Sequence, residues 1–194
     1  MGLTEDRWRA LDLYRMSGDK NGIAWALSSL GYVYPDLGDI RRGIKCQEES
    51  VELCNDIGDQ HMLIYNYYGL AESHSVLEEF KPAMDYANKA LALSKELGAK
   101  REEGASTYVL GIIHRDLKNF EDARALFNQA REILADVGDT SLLTMIDFDD
   151  GLLLKMEGKH DEARVMLEKA RKSFGEMGMM LWLKKVDAAL SELY

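Results

Sequence analysis

The chain is poor in residues that interrupt helices, in residues that crosslink, and in long apolar runs. Two prolines in 194 residues leave almost no forced breaks, because proline is excluded from helix interiors by its missing N–H and its ring. The two cysteines, Cys46 and Cys54, fall eight residues apart in a helical pattern. That spacing is about 12 Å of axial rise, beyond disulfide reach, so both are read as free thiols of a reducing compartment. No run of 18 or more apolar residues occurs, which excludes a transmembrane helix. The opening MGLTEDRWRA lacks the apolar core of a signal peptide, and Asp6 stands where myristoylation of Gly2 would want Ser or Thr. A cytoplasmic protein is expected. Basic residues are outnumbered, 24 Lys and Arg against 34 Asp and Glu, for a net charge of −10. This argues against nucleic acid, which needs clustered cations, and is compatible with a basic or neutral polypeptide partner. Strand signals are absent.

Glycine, by contrast, recurs in register. Gly18, Gly58, Gly98, Gly138 and Gly178 stand at successive intervals of 40, and Asp follows at 19, 59 and 139. Other columns share the period: 31/71/111/151 reads Gly, Ala, Gly, Gly, and 10/50/90/130/170 reads Ala, Ser, Ala, Ala, Ala. Small residues at fixed points of amphipathic helices are what close helix packing requires. Between them, segments such as FEDARALFNQAREILADVG carry apolar residues at three- and four-residue spacing. Each unit therefore reads as two antiparallel helices. The first type covers roughly 19–34, 59–77, 99–116 and 139–156, and the second roughly 39–57, 79–97, 119–137 and 159–177. The expected organisation is a single domain over 1–194. It opens with the second helix of an incomplete repeat at 3–17, continues through full repeats at 19–57, 59–97, 99–137 and 139–177, and closes with a capping helix at 179–193. At each junction the glycine is expected to adopt a left-handed conformation, which costs other residues about 1–2 kcal/mol. The following Asp is expected to cap the next helix, worth about 1 kcal/mol.

The segments LSSLGYVYPDLGDIRRG, LGIIHRDLKNFEDARALFNQA and DGLLLKMEGKHDEARVMLEKA each resemble the L-G-x-x-Y … A … F … A pattern of tetratricopeptide repeats. The resemblance covers essentially residues 3–194. The usual unit is 34 residues; 40-residue units resemble the repeat regions of multidomain bacterial regulators and of spindle adaptors, and the ending EMGMMLWLKKVDAALSEL resembles the close of such a region. The resemblance implies an all-α, right-handed α-solenoid whose concave wall is built by the first-type helices and binds a peptide or helix. One subtype of the family grips a carboxylate with Lys, Asn and Arg. The corresponding columns here hold Ser28, Tyr32, Gly69, Ala105 and Val109, which cannot supply that charge.

In the same register the groove is lined by Trp25, Ser28, Tyr32, Tyr65, Tyr68, Glu72, Ala105, Tyr108, Ile112, Met145, Phe148 and Leu152. Six aromatics in one trough would suit an amphipathic helix or an apolar peptide, with Tyr68 and Tyr108, flanked by Glu72, at its centre. The alternative is that the rings pack sideways between repeats. Asp147, Asp149 and Asp150 form the most acidic patch on any first-type helix. Either Ile146 and Leu153 take over the burial there, or the patch, Asp149 included, receives a partner's Lys or Arg at the end of the groove.

His74 and His114 share a column with Tyr34 and Leu154 and are read as half-buried packing residues. No nucleophile–base arrangement is recognisable, so no enzyme, cofactor or metal is expected. In the first helix, Trp8 and Met16 occupy columns that are polar elsewhere. The N-terminal face is therefore expected to meet a preceding domain or a second copy, giving a homodimer in the latter case. Trp182 and Met180 offer a weaker edge at the other end, and Pro35 is expected to end its helix at Tyr34. The expected function is a non-catalytic scaffold that binds a peptide or helix within a regulatory or signalling assembly. The alternative is a regulatory domain that senses a small ligand or signalling peptide.

Overall fold

The computed structural model describes the backbone of residues 2–193 and the side chains of residues 5–193. The described residues form ten helices: α1 (Gly2–Ser17), α2 (Lys20–Asp36), α3 (Ile40–Ile57), α4 (Gln60–Val76), α5 (Phe80–Glu96), α6 (Lys100–Asp116), α7 (Phe120–Asp136), α8 (Thr140–Met156), α9 (His160–Glu176) and α10 (Met180–Ser191). None of them is long and apolar enough to cross a membrane. The chain divides into two compact units, Met1–Glu102 and Glu103–Tyr194.

The junctions follow the 40-residue period. Gly18, Gly58, Gly98, Gly138 and Gly178 all have positive φ, 72° at Gly138, where a side chain would be strained. The aspartates do cap: Asp19, Asp59 and Asp139 accept from the amides of Gly22, Met62 and Leu142, each at 3.0 Å. A second left-handed column, not evident from the glycine pattern, lies inside each repeat. Gly38, Glu78, Lys118 and Gly158 have φ of 84°, 58°, 63° and 79°. Only two of these four turns use glycine, so the column is hidden in the sequence.

Pro35 does not end α2 at Tyr34; the helix runs on to Asp36 with Pro35 inside it. The proline falls in the last turn, where only one intrahelical donor is lost. The turn tightens around it: Leu37 N donates to both Val33 O and Tyr34 O, and Gly38 N to Pro35 O.

In the first unit α2 packs on α3, α4 on α5, α3 on α4, and α1 on α2. Leu11, Leu27, Leu30 and Cys46 form one buried cluster, with Trp8 and Tyr14 against it. Glycines permit the closest crossings. A Cβ added at Gly31 would lie 2.3 Å from Gln47 Cγ, and one at Gly69 2.1 Å from Gln47 Nε2. Gln47 is thus wedged between α2 and α4, with neither amide atom hydrogen-bonded among the described residues. Cys46 and Cys54 are free thiols, both buried.

In the second unit the same small column meets large residues. A Cβ at Gly111 would lie 2.5 Å from Phe127, and one at Gly151 2.8 Å from Leu167. Ala71, in the first unit, occupies the same column, and there the facing column holds Ala87 instead; both alanines are fully buried. The pattern conserves volume across the crossing: glycine stands opposite a large side chain and alanine opposite alanine. Phe148, Leu167, Phe174 and Val186 form the buried cluster around α8, α9 and α10.

Candidate functional site

The α2 helix carries only Lys20 and Asp36 as charges, one at each end. Its middle turns therefore present mainly apolar and aromatic side chains. Tyr32 and Tyr65, on α2 and α4, pack with ring centroids 4.5 Å apart at 41°. The Tyr32 hydroxyl donates to the Tyr65 carbonyl oxygen at 2.5 Å. This contact joins the two helices and frames a pocket of about 500 Å³. Trp25, Ser28 and Tyr32 of α2, Met62 and Tyr65 of α4, and Arg7 of α1 line it. Trp25 is 52% exposed and Tyr65 51%, an unusual state for large rings on helices that otherwise bury them. Ser28 is buried, and its hydroxyl has no hydrogen-bond partner among the described residues.

Behind the pocket, the Tyr68 hydroxyl donates to Glu72 Oε1 at 3.0 Å. Burial, and then the negative charge of Glu72, push the Tyr32 and Tyr68 phenols well above the ordinary range, and the same causes raise Tyr65. All three are therefore neutral hydroxyl groups at physiological pH, able to donate hydrogen bonds. Six of the residues expected to line a groove, Trp25, Ser28, Tyr32, Tyr65, Tyr68 and Glu72, thus lie on two adjacent helices of the first unit.

The remaining expected site residues belong to the second unit and have different surroundings. Tyr108 is 0% exposed; its hydroxyl donates to Asp149, which also accepts from Arg115 Nη1. Arg115 Nε donates in turn to Asp116 at 2.8 Å. Tyr68 and Tyr108, expected together at a centre, thus sit in separate units and differ in exposure. Burial pushes the Asp149 carboxyl up, opposed by Arg115 and by the Tyr108 hydroxyl. Phe148 is a core ring, edge-on to Trp182 at 5.7 Å and to Phe174 at 6.4 Å, and Met145 packs against the same cluster. Ile112 is half-buried.

The other carboxylates of the acidic stretch are matched from within the chain. Asp147 pairs with Lys169 at 2.7 Å and Arg131 at 3.2 Å, and Asp150 with Arg131 at 2.5 Å. Ile146 and Leu153 are fully buried beside them. A carboxylate in a packing column needs such cations, and Arg115 and Arg131 are the partners that the column pattern alone did not reveal. Arg7 was also missed, because α1 lies outside the first-type columns.

The histidines have local partners. His74 Nδ1 lies 2.7 Å from Glu79, which Arg41 also engages, and its ring stacks on Tyr86 at 5.6 Å. His114 Nδ1 lies 3.5 Å from Asp122. At the N-terminal face Trp8 is half-buried rather than water-facing: its indole donates to the Tyr34 hydroxyl at 2.8 Å, with Arg42 over the ring. Met16, by contrast, is 85% exposed.

Paired helices repeating at a constant period, joined by left-handed turns and interlocked through small residues, define an all-α helical-repeat protein. More particularly, a family profile described as a tetratricopeptide repeat matches residues 22–96. Solved structures share the fold over nearly the whole length. BtubC (BKLC) from P. vanneervenii is 16% identical with a TM-score of 0.69, covering 98% of this chain and 89% of that one. A Signal Transduction ATPase with Numerous Domains protein with a tetratricopeptide repeat sensor, from Pyrococcus horikoshii, is 19% identical with a TM-score of 0.75, covering 100% of this chain and 30% of that one. A Rap protein complexed with competence and sporulation factor is 14% identical with a TM-score of 0.70, covering 98% of this chain and 57% of that one. The chain thus spans only 30% and 57% of the last two proteins. Among curated protein sequences nothing matches. At these identities the likeness is one of fold.

Proposed function

We propose that this protein is a non-catalytic interaction module that binds a peptide or helix of a partner protein on the aromatic wall formed by α2 and α4. The observation that carries this reading is the half exposure of Trp25 and Tyr65 at the mouth of the pocket. Large rings with few rotors bury much area on binding at little entropic cost, and a trough between helices accepts a helix or an extended segment. Tyr32 lines the pocket beside these rings, and the Tyr68 hydroxyl is held by Glu72 one turn further along α4. In this reading Tyr108 and Asp149 serve the fold of the second unit.

A second reading has one observation in its favour. Two proteins of the same fold are described as a sensor and as a complex with competence and sporulation factor, so the pocket could be the receptor for a signalling peptide whose occupancy biases a regulatory assembly. Native mass spectrometry of the protein isolated from its own lysate, beside a Trp25→Ala/Tyr65→Ala variant of unchanged helicity, separates the two. A co-purifying protein lost in the variant supports the scaffold, and a small bound peptide lost in the variant supports the sensor. Retention of every partner by the variant refutes both. The exposed Met16 edge of α1 is the proposed self-association surface; Met16→Glu lowers the mass in sedimentation at high concentration, and a wild type already monomeric there refutes that part.

A further inference from the structure

The pocket between α1, α2 and α4 is polarised. Trp25, Ser29, Tyr32 and Asp36 follow one another at helical spacing, so they share one face of α2, over about 16 Å of axial rise. Near Trp25, Arg7 Nε donates to Ser29 Oγ at 2.5 Å. At the other end stands Asp36, an exposed carboxylate lining the same pocket. No cation among the described residues pairs with it, whereas Asp147 pairs with Lys169 and Arg131 and Asp150 with Arg131. Asp36 is also the last residue of α2, where the unsatisfied carbonyls add partial negative charge. The exposed faces of Trp25 and Tyr65 favour a cation by their quadrupoles, and Met62 offers an apolar surface for an aliphatic stem. In the wall, the Ser28 hydroxyl waits without a partner. The net charge of −10 steers cations toward the surface as a whole.

We infer that the pocket takes a Lys or Arg residue of the partner polypeptide, its stem lying along Trp25, Met62 and Tyr65 and its cation directed at Asp36. This rests on the proposed binding function. It adds a chemical class to it: the partner segment is basic and amphipathic rather than acidic. A pocket of about 500 Å³ exceeds one side chain, so residues flanking the basic one enter with it.

The test uses phage-displayed random peptides selected on the full protein, counter-selected on the Trp25→Ala/Tyr65→Ala variant. Each selected peptide is then titrated calorimetrically beside an analogue with norleucine at the basic position, on wild type and on Asp36→Asn. The expected result is a shared Lys or Arg whose replacement weakens wild-type binding about tenfold, as the loss of an ion pair and a cation–π contact together implies. On Asp36→Asn the same replacement costs only about threefold. Selected peptides that depend on Trp25 and Tyr65 but share no basic residue overturn the inference and leave the binding function standing. An equal norleucine penalty on both proteins also overturns it. If no selected peptide depends on Trp25 and Tyr65, the binding function fails and the inference with it.

Discussion

The left-handed turn inside each repeat allows a test in which equivalent positions respond with opposite sign. Glu78 and Lys118 hold φ of 58° and 63° where Gly38 and Gly158 hold 84° and 79°. A non-glycine residue in this region costs about 1–2 kcal/mol, and both side chains are exposed, so little packing is lost on removing them. Replacement by glycine recovers that strain but gives back about 0.4–1 kcal/mol through greater freedom of the unfolded chain. The net effect of Glu78→Gly or Lys118→Gly is a gain of about 0.5–1 kcal/mol. Gly158→Ala, with open space around its Cβ position, introduces strain without a clash, offset in part by the stiffer unfolded chain, and loses a similar net amount. With a urea dependence of about 1–3 kcal/mol/M, the midpoints move by a few tenths of a molar in opposite directions. Equilibrium urea unfolding followed by far-UV circular dichroism reads the shift. If Glu78→Gly and Gly158→Ala both lower the midpoint, backbone strain does not govern these turns and the reasoning fails.

Other consequences are equally direct. Asp149→Asn leaves Arg115 buried without its main counter-charge and is expected to cost about 3–5 kcal/mol, read by denaturant unfolding; a change below 1 kcal/mol contradicts the buried pairing of Tyr108, Arg115 and Asp149. Burial raises the Cys46 and Cys54 thiols, so both resist iodoacetamide at neutral pH until urea is added, and fast labelling of either in the native protein refutes their placement. The Glu79 carboxyl is held below its ordinary value, first by Arg41 and then by His74. Its contribution to stability is therefore present above the ordinary glutamate range and is lost as pH falls. Wild-type and Glu79→Gln melting curves should separate near neutrality and converge in acid; a constant separation contradicts the assignment.

The period, the helix pairs and the capping aspartates were all legible in the sequence, because each is set by local rules. A left-handed turn wants glycine, a helix start wants an acceptor, and a close crossing wants a small residue, so each leaves a residue of a particular kind at a fixed interval. The second turn column leaves no glycine pattern in the sequence because Glu78 and Lys118 fill it against preference. At the site, Trp25, Tyr32 and Tyr65 could be placed on one wall by register alone. Exposure could not: Tyr108 occupies the same column as Tyr68, yet its hydroxyl is drawn inward by Asp149, a partner 41 residues away. The ion pair of Arg131 with Asp150 and the hydrogen bond from Arg7 to Ser29 join helices of different type, and a column comparison within one type does not see them. Pro35 does not stop α2 because the last turn of that helix tolerates a missing donor.

Hydroxyl-radical footprinting of the protein with and without a bound partner, resolved to single side chains, tests the central claim most directly. The account predicts protection of Trp25, Tyr32, Met62 and Tyr65, with Leu53 of α3 and Tyr86 and Leu91 of α5 unchanged. Protection concentrated on α3 and α5, with Trp25 and Tyr65 as reactive as in the free protein, would contradict it.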